Sequence, residues 1–190
     1  MARFWEFQQL SDDWKHVSYF DKVPRVGETA GLYIGGLAAL YKEPDPLKEA
    51  GVMHVLSILD FDIGDTKQLI GLKHLHIRLQ DEPQENLIKH FEETNTFIDD
   101  GLKQGGVFVH CAMGVSRSAT VVCAYLMWKH GLNRDEAVKQ VREGRERIYP
   151  NHGFMEQLSL YEKVLKAGSR DEKEELVRRW SRGRYPPTKL

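Results

Sequence analysis

The sequence predicts an α/β domain built on a central, mostly parallel sheet flanked by helices. Three observations carry that prediction. Apolar runs at 31–35, 52–59, 72–79 and 107–109 have the length of strands. Helical or loop stretches separate them, the alternation that a parallel sheet requires. After residue 111 the helical stretches follow one another without a strand, so they are expected to cover one face.

In chain order, residues 1–30 are an N-terminal extension. Phe4, Trp5, Phe7, Trp14, Tyr19 and Phe20 crowd its first twenty positions and are expected to pack on the domain surface. Residues 31–35 form the first strand and 36–41 a short helix. Pro44-Asp45-Pro46 opens another short helix, closed by Gly51. Residues 52–59 are β-branched or long aliphatic for the most part, which suits a central strand. A loop spans 60–65. Over 72–79, Leu72, His74, His76 and Arg78 alternate with Lys73, Leu75, Ile77 and Leu79, the period of a strand. His74 and His76 share a face, but without an obvious third ligand they read as a polar strand face, not a metal site.

A loop at 80–84 leads to one amphipathic helix over 85–103, with Leu87, Ile88, Phe91, Ile98 and Leu102 on its apolar stripe. The strand at 107–109 precedes a helix over 118–128 that stops at Gly131. Asn133 caps the next helix, with Asp135 and Glu136 in its positive first turn. After a turn at 145–151, a last helix spans 153–167. The tail, 168–190, is acidic over 169–175, then basic with aromatics from Arg178 to Tyr185. That composition suits RNA phosphates and stacked bases, and so a pre-ribosomal contact. A solvated charged tail is the simpler expectation.

The formal charge of -1 points to no particular partner, and the composition is that of a globular protein. No window is apolar enough to span a bilayer. Residues 1–6 lack the apolar core of a signal peptide, so a cytoplasmic or nuclear location, or both, is expected. Two cysteines, Cys111 and Cys123, make neither a disulfide framework nor a Cys-x-x-Cys zinc site.

The chemistry concentrates between the strand at 107–109 and the helix after it. A loop from Cys111 to Arg117 at a helix start gathers free backbone N–H groups, which favours an anion. Gly114 admits backbone angles closed to other residues, and the Arg117 fork matches phosphate oxygens. The same surroundings favour a Cys111 thiolate. The site is therefore a nucleophile beside a cradle for an oxyanion, and Ser118 could donate to the sulfur as it leaves. A thiolate that attacks a phosphate ester needs a general acid nearby. Asp81, directly after a strand and before a helix, is the candidate; Glu82, Asp62 and Asp65 are rivals.

The string His110-Cys111-Ala112-Met113-Gly114-Val115-Ser116-Arg117-Ser118 resembles the signature His-Cys-x-x-Gly-x-Ser-Arg-Ser of the dual specificity protein phosphatases, a branch of the cysteine-based protein tyrosine phosphatases. Pro150-Asn151-His152-Gly153-Phe154-Met155-Glu156-Gln157-Leu158 is similar to that family's Pro-Asn-x-Gly-Phe-x-x-Gln-Leu. The resemblance covers roughly residues 31–166. It implies a catalytic domain over 31–167, with Cys111 as nucleophile and Ala112, Met113, Gly114, Val115, Ser116 and Arg117 holding the phosphate. Asp81 matches the family's acid and Ser118 its hydroxyl donor. His110, Asn151 and Arg145 support the loop, and Cys123 is core.

The resemblance implies no metal and no cofactor. It implies phosphoprotein substrates carrying phosphotyrosine, phosphoserine or phosphothreonine, and a monomer is expected. Residues 31–40 look closest to the atypical branch linked to ribosome assembly, whose members add a C-terminal zinc-binding domain; two cysteines do not supply one. The kinase-docking domain of MAP kinase phosphatases is absent too, so MAP kinase specificity is not implied. Phosphoinositides and RNA 5′-phosphates are alternative substrates. The loop carries no lysine, however, and Ser116-Arg117-Ser118 stands where the RNA branch has Asn-Arg-Thr. A ribosome-assembly scaffold with secondary catalysis is a further alternative.

Overall fold

The computed structural model describes residues 18–27, 30–42, 45–63 and 69–184. Strands β1 (Phe20–Lys22), β2 (Leu32–Gly36), β3 (Val52–Leu59), β4 (Lys73–Arg78) and β5 (Gly106–Cys111) form one sheet in the order β1-β2-β5-β3-β4. All neighbours are parallel except β1, which runs antiparallel to β2. β5 lies at the centre and is buried at every residue, as a strand covered on both faces must be. Its C-terminal end therefore opens between β2 and β3, where a doubly wound sheet builds its site.

Helices α1 (Pro46–Glu49), α2 (Phe91–Leu102), α3 (Arg117–His130), α4 (Arg134–Gly144), α5 (His152–Lys166) and α6 (Arg170–Arg184) complete the described fold. Asp45 caps α1 by accepting from Leu47 N (3.0 Å) and Lys48 N (3.2 Å). Asn133 and Glu136 close a reciprocal capping box on α4. α3 ends on Gly131, whose φ of 68° is left-handed. The larger core packs β-sheet residues Leu32, Ile34, Leu56, Ile58, Val107 and Val109 against Phe91, Ile98, Leu126, Phe154 and Leu158. On the other face Leu37, Leu40 and Leu47 cover Val55, Leu59 and Phe108.

Two expectations are corrected and a third is refined. The sheet begins before residue 31: β1 is an edge strand, Val23 N donates to Leu32 O (2.8 Å), and Val23 and Val26 lie in the core. A three-residue strand, Phe-Asp-Lys, carries too little period to be seen in sequence. The aromatics from Phe4 to Trp14 lie outside the described residues.

The helix expected over 85–103 starts only at Phe91, after a 3₁₀ turn at Ile88–His90. Gln157 is the reason. Its Oε1 accepts from both Leu87 N and Ile88 N, and its Nε2 donates to Glu85 O, all at 2.8 Å. These bonds hold 85–88 out of the helix. The charged tail is largely exposed, but it is helical. Residues 170–184 form α6, whose Val177 and Trp180 pack against the core. Ser169 accepts from Glu172 N (3.2 Å), and Arg170–Glu174 and Glu175–Arg179 pair one turn apart. The acidic-then-basic order noted in the sequence is the order a helix dipole favours.

Candidate active site

β5 delivers Cys111, and α3 begins at Arg117, so residues 112–116 must turn sharply between them. Gly114 makes this turn at φ +69°, and a Cβ there would fall 2.3 Å from the backbone of Gly35. Only glycine meets both demands.

Every carbonyl of this loop is tied outward. Ala112 O accepts from Leu37 N (3.0 Å), and Met113 O and Gly114 O from the Arg145 guanidinium (3.3 and 2.8 Å). Val115 O accepts from Tyr149 N (2.8 Å) and Ser116 O from Thr120 N (2.9 Å). With the carbonyls held outside, the amides turn inward, and Gly114 N donates to Cys111 Sγ at 3.2 Å. Arg145 is itself buried and is fixed by the Asp21 carboxylate and by Ser18 O (3.2 Å).

Cys111 is 1% exposed, at the floor of this cradle. Burial alone would push its thiol up. The Arg117 charge, the Ser118 hydroxyl and the amides of Ser118 and Val115 outweigh burial and leave the pKa below its ordinary value. Ser118 Oγ lies 3.3 Å from the sulfur. Cys123, by contrast, has only burial acting strongly on it, and its thiol is pushed up to about 12. It is inert core.

Arg117 is buried, with one arm donating to Leu79 O (3.1 Å). Among the described residues its Nε has no hydrogen-bond partner. Two described carboxylates stand slightly too far away: Asp81 Oδ2 at 3.7 Å from Nε and Asp60 Oδ1 at 3.6 Å from Nη1. A buried guanidinium donor left open costs free energy unless something accepts from it. An anion seated above Cys111 would accept from this donor. In sequence Asp60 is only the first residue of the loop at 60–65; its place directly after the C-terminal end of β3 is the signal that points to it.

Asp81 reaches the loop from the end of β4. Its Oδ1 accepts from Ser116 Oγ (2.6 Å) and from Asn151 Nδ2 (2.9 Å). Asn151 also donates from its backbone N to Ser116 Oγ (3.1 Å) and caps α5 by accepting from Phe154 N (3.0 Å). Glu82 is exposed, and its carbonyl accepts from Glu85 N in a turn. Asp62 is exposed and acts electrostatically on His74; Asp65 lies outside the described residues.

His110 is fully buried, stacked on Phe108 with centroids 5.2 Å apart, and its pKa is pushed down to about 3 by burial. It is neutral, and supports the loop through Nδ1, 3.3 Å from Cys111 O. His74 and His76 stack on each other, and their Nε2 atoms face Ser57 Oγ (2.9 Å) and Leu59 O (3.2 Å). Among the described residues no group of three His, Cys, Asp or Glu could hold a metal ion.

The structure thus brings together Cys111, Arg117, Ser118, Asp81, Asn151 and Arg145, and adds Asp60, Asp21 and Ser57. A cysteine of lowered pKa beside loop amides, one guanidinium, and a carboxyl from the loop after β4, two strands across the sheet, make the arrangement of a cysteine-based phosphatase site. The model of the dual specificity phosphatase catalytic domain matches residues 32–164, and the chain belongs to that family.

The MAP kinase phosphatase with leucine-rich repeats protein 1 of Dictyostelium discoideum is 44% identical over 63% of this chain and 14% of its own length. Among solved structures, human DUSP28 is 30% identical, with TM-score 0.70, over 79% of this chain and 97% of that one. The Yvh1 phosphatase domain of Chaetomium thermophilum is 29% identical, also with TM-score 0.70, over 79% and 99%. These likenesses agree with the atypical branch. The chain spans between 14% and 34% of the length of four Dictyostelium relatives that it matches.

Proposed function

We propose that the protein hydrolyses phosphate monoesters of protein tyrosine, serine and threonine through a cysteinyl-phosphate. The observation that carries this reading is the buried Nε of Arg117, without a hydrogen-bond partner among the described residues, beside a thiol whose pKa is lowered. Loop amides and Arg117 hold the non-bridging oxygens. Cys111 Sγ attacks phosphorus in line, and the P–S bond forms as the bond to the ester oxygen breaks. Asp81 gives its proton to that oxygen. Its Oδ1 already accepts two hydrogen bonds, so Oδ2 is the oxygen that carries the proton. Water then attacks phosphorus while Asp81 takes a proton from it. The thiolate departs with the Ser118 hydroxyl donating to sulfur. The loop offers no lysine to an inositol phosphate, which favours protein substrates.

The test compares kcat/KM on phosphotyrosine, phosphoserine and phosphothreonine peptides with that on phosphoinositides and 5′-triphosphate RNA. Phosphopeptides are expected to be the best substrates. A phosphoinositide or RNA turned over faster would overturn the substrate class. No turnover of any of them, with no binding of tungstate, would overturn the reading entirely. Cys111→Ser is expected to abolish turnover and keep tungstate binding.

A further inference from the structure

A row of polar side chains crosses the sheet beneath the nucleophile and ends in solvent. His110 stands on β5, Ser57 beside it on β3, and His74 on the edge strand β4, at an exposed position. Ser57 Oγ lies 2.6 Å from His110 Nε2 and 2.9 Å from His74 Nε2.

The hydrogen positions follow from the inner end. The Cys111 carbonyl can only accept, so His110 Nδ1 carries the hydrogen between them. His110 is neutral, so its Nε2 is bare and accepts. Ser57 therefore donates to His110. Having given its one hydrogen, Ser57 accepts from His74 Nε2–H. Every link then has one direction.

We propose that Ser57 and His74 are positioning residues for the reaction: a one-way chain, His74 to Ser57 to His110 to the Cys111 carbonyl, locks the His110 tautomer and with it the base of the phosphate loop. The inference rests on Cys111 being the nucleophile. Without Ser57, His110 is free to carry its hydrogen on Nε2. Its bare Nδ1 would then face the Cys111 carbonyl, lone pair against lone pair, and the residue bearing the nucleophile would lose its tether. His74 thus does more than line a strand's polar face.

The test combines two readouts. Nitrogen NMR of the ¹⁵N-histidine-labelled protein reports which ring nitrogen of His110 is protonated. The rate of Cys111 alkylation against pH reports the thiol's ionisation and needs no phosphate ester. In the parent, His110 is expected to be protonated at Nδ1 alone. Ser57→Ala is expected to mix the tautomers and raise the alkylation midpoint by roughly half to one pH unit, the equivalent of one lost neutral hydrogen bond. Ser57→Thr, which keeps the hydroxyl, restores both. His74→Ala, at an exposed position that spares folding, is expected to raise the midpoint by a smaller amount; His74→Gln, whose amide still donates, restores it.

Nε2 protonation in the parent would overturn the chain. So would a Ser57→Ala protein with the parent's tautomer and midpoint, or, should that variant not fold, an unchanged midpoint in His74→Ala. Any of these results leaves the phosphatase reading standing, whereas absence of turnover with the chain intact would remove that reading alone.

Discussion

The buried pair of Asp21 and Arg145 ties the edge of the sheet to the phosphate loop, and Asp21→Ala tests that tie. The Arg145 side chain is 1% exposed and that of Asp21 23%. Removing one partner of a buried pair costs about 3–5 kcal/mol, because an uncompensated charge remains. Here the cost is lower. Water reaches the Asp21 side, and Arg145 still donates to Gly114 O, Met113 O and Ser18 O. Charge-assisted bonds of this kind offset part of the loss, leaving about 2–3 kcal/mol. For a chain of this size each kcal/mol moves Tm by about 2–4 °C, so a fall of about 4–12 °C is expected. Thermal melts of parent and variant at equal concentration measure it, and a urea titration checks that the slope is unchanged. A Tm within about 1 °C of the parent would refute the reasoning: the loop carbonyls alone would then hold Arg145, and β1 would not brace the site.

Three further outcomes follow from the site. Asp81→Ala should slow hydrolysis of alkyl phosphates by about 10²–10⁴-fold and of activated aryl phosphates much less; equal losses would take the acid role from Asp81. Cys111 should alkylate with a midpoint below the roughly 8.5 of a free thiol, since its pKa is lowered, and Arg117→Ala should raise that midpoint; a parent midpoint at or above the free value contradicts the electrostatics. His110 stays neutral in the native state down to about pH 3, while in the unfolded chain it protonates near 6.5. The unfolded state therefore binds more protons between those values, and stability should fall with falling pH by up to about 1.4 kcal/mol per unit from this residue. His110→Gln should flatten the urea midpoint over that window; an unchanged slope would show that His110 is not held neutral.

The sequence made the cradle legible because one continuous string encodes it. Cys111, Gly114 and Arg117 lie on a single strand–loop–helix turn, and their chemistry needs little knowledge of the rest of the fold. Asp81 was found by its place after a strand, a rule of parallel sheets. What stayed hidden depends on long-range pairing. Asp21 is 124 residues from Arg145, and Gln157 reaches back 70 residues to Leu87. Ser57 meets His110 53 residues later, through register alone. No local period records such contacts. α6 was missed for another reason: its charges dominate the composition, and the two apolar side chains that dock it, Val177 and Trp180, are too few to mark a stripe.

The nucleophile and the proton donor are not placed independently. Ser116 belongs to the phosphate loop, yet its hydroxyl donates to Asp81, and Asn151 binds both of them while capping α5. Three segments, around residues 81, 116 and 151, thus share one small network. It fixes Oδ1 of Asp81 and leaves Oδ2 turned toward Arg117 Nε at 3.7 Å. An anion seated against Arg117 would therefore meet the free carboxyl oxygen without any rearrangement of the acid loop. Electrostatic stabilisation works best when its dipoles are fixed before charge develops, and the same bonds that order the loop order the acid. The spacing from Cys111 to Arg117 builds a place for phosphate. The bonds from Ser116 and Asn151 turn that place into one where a leaving group can be protonated.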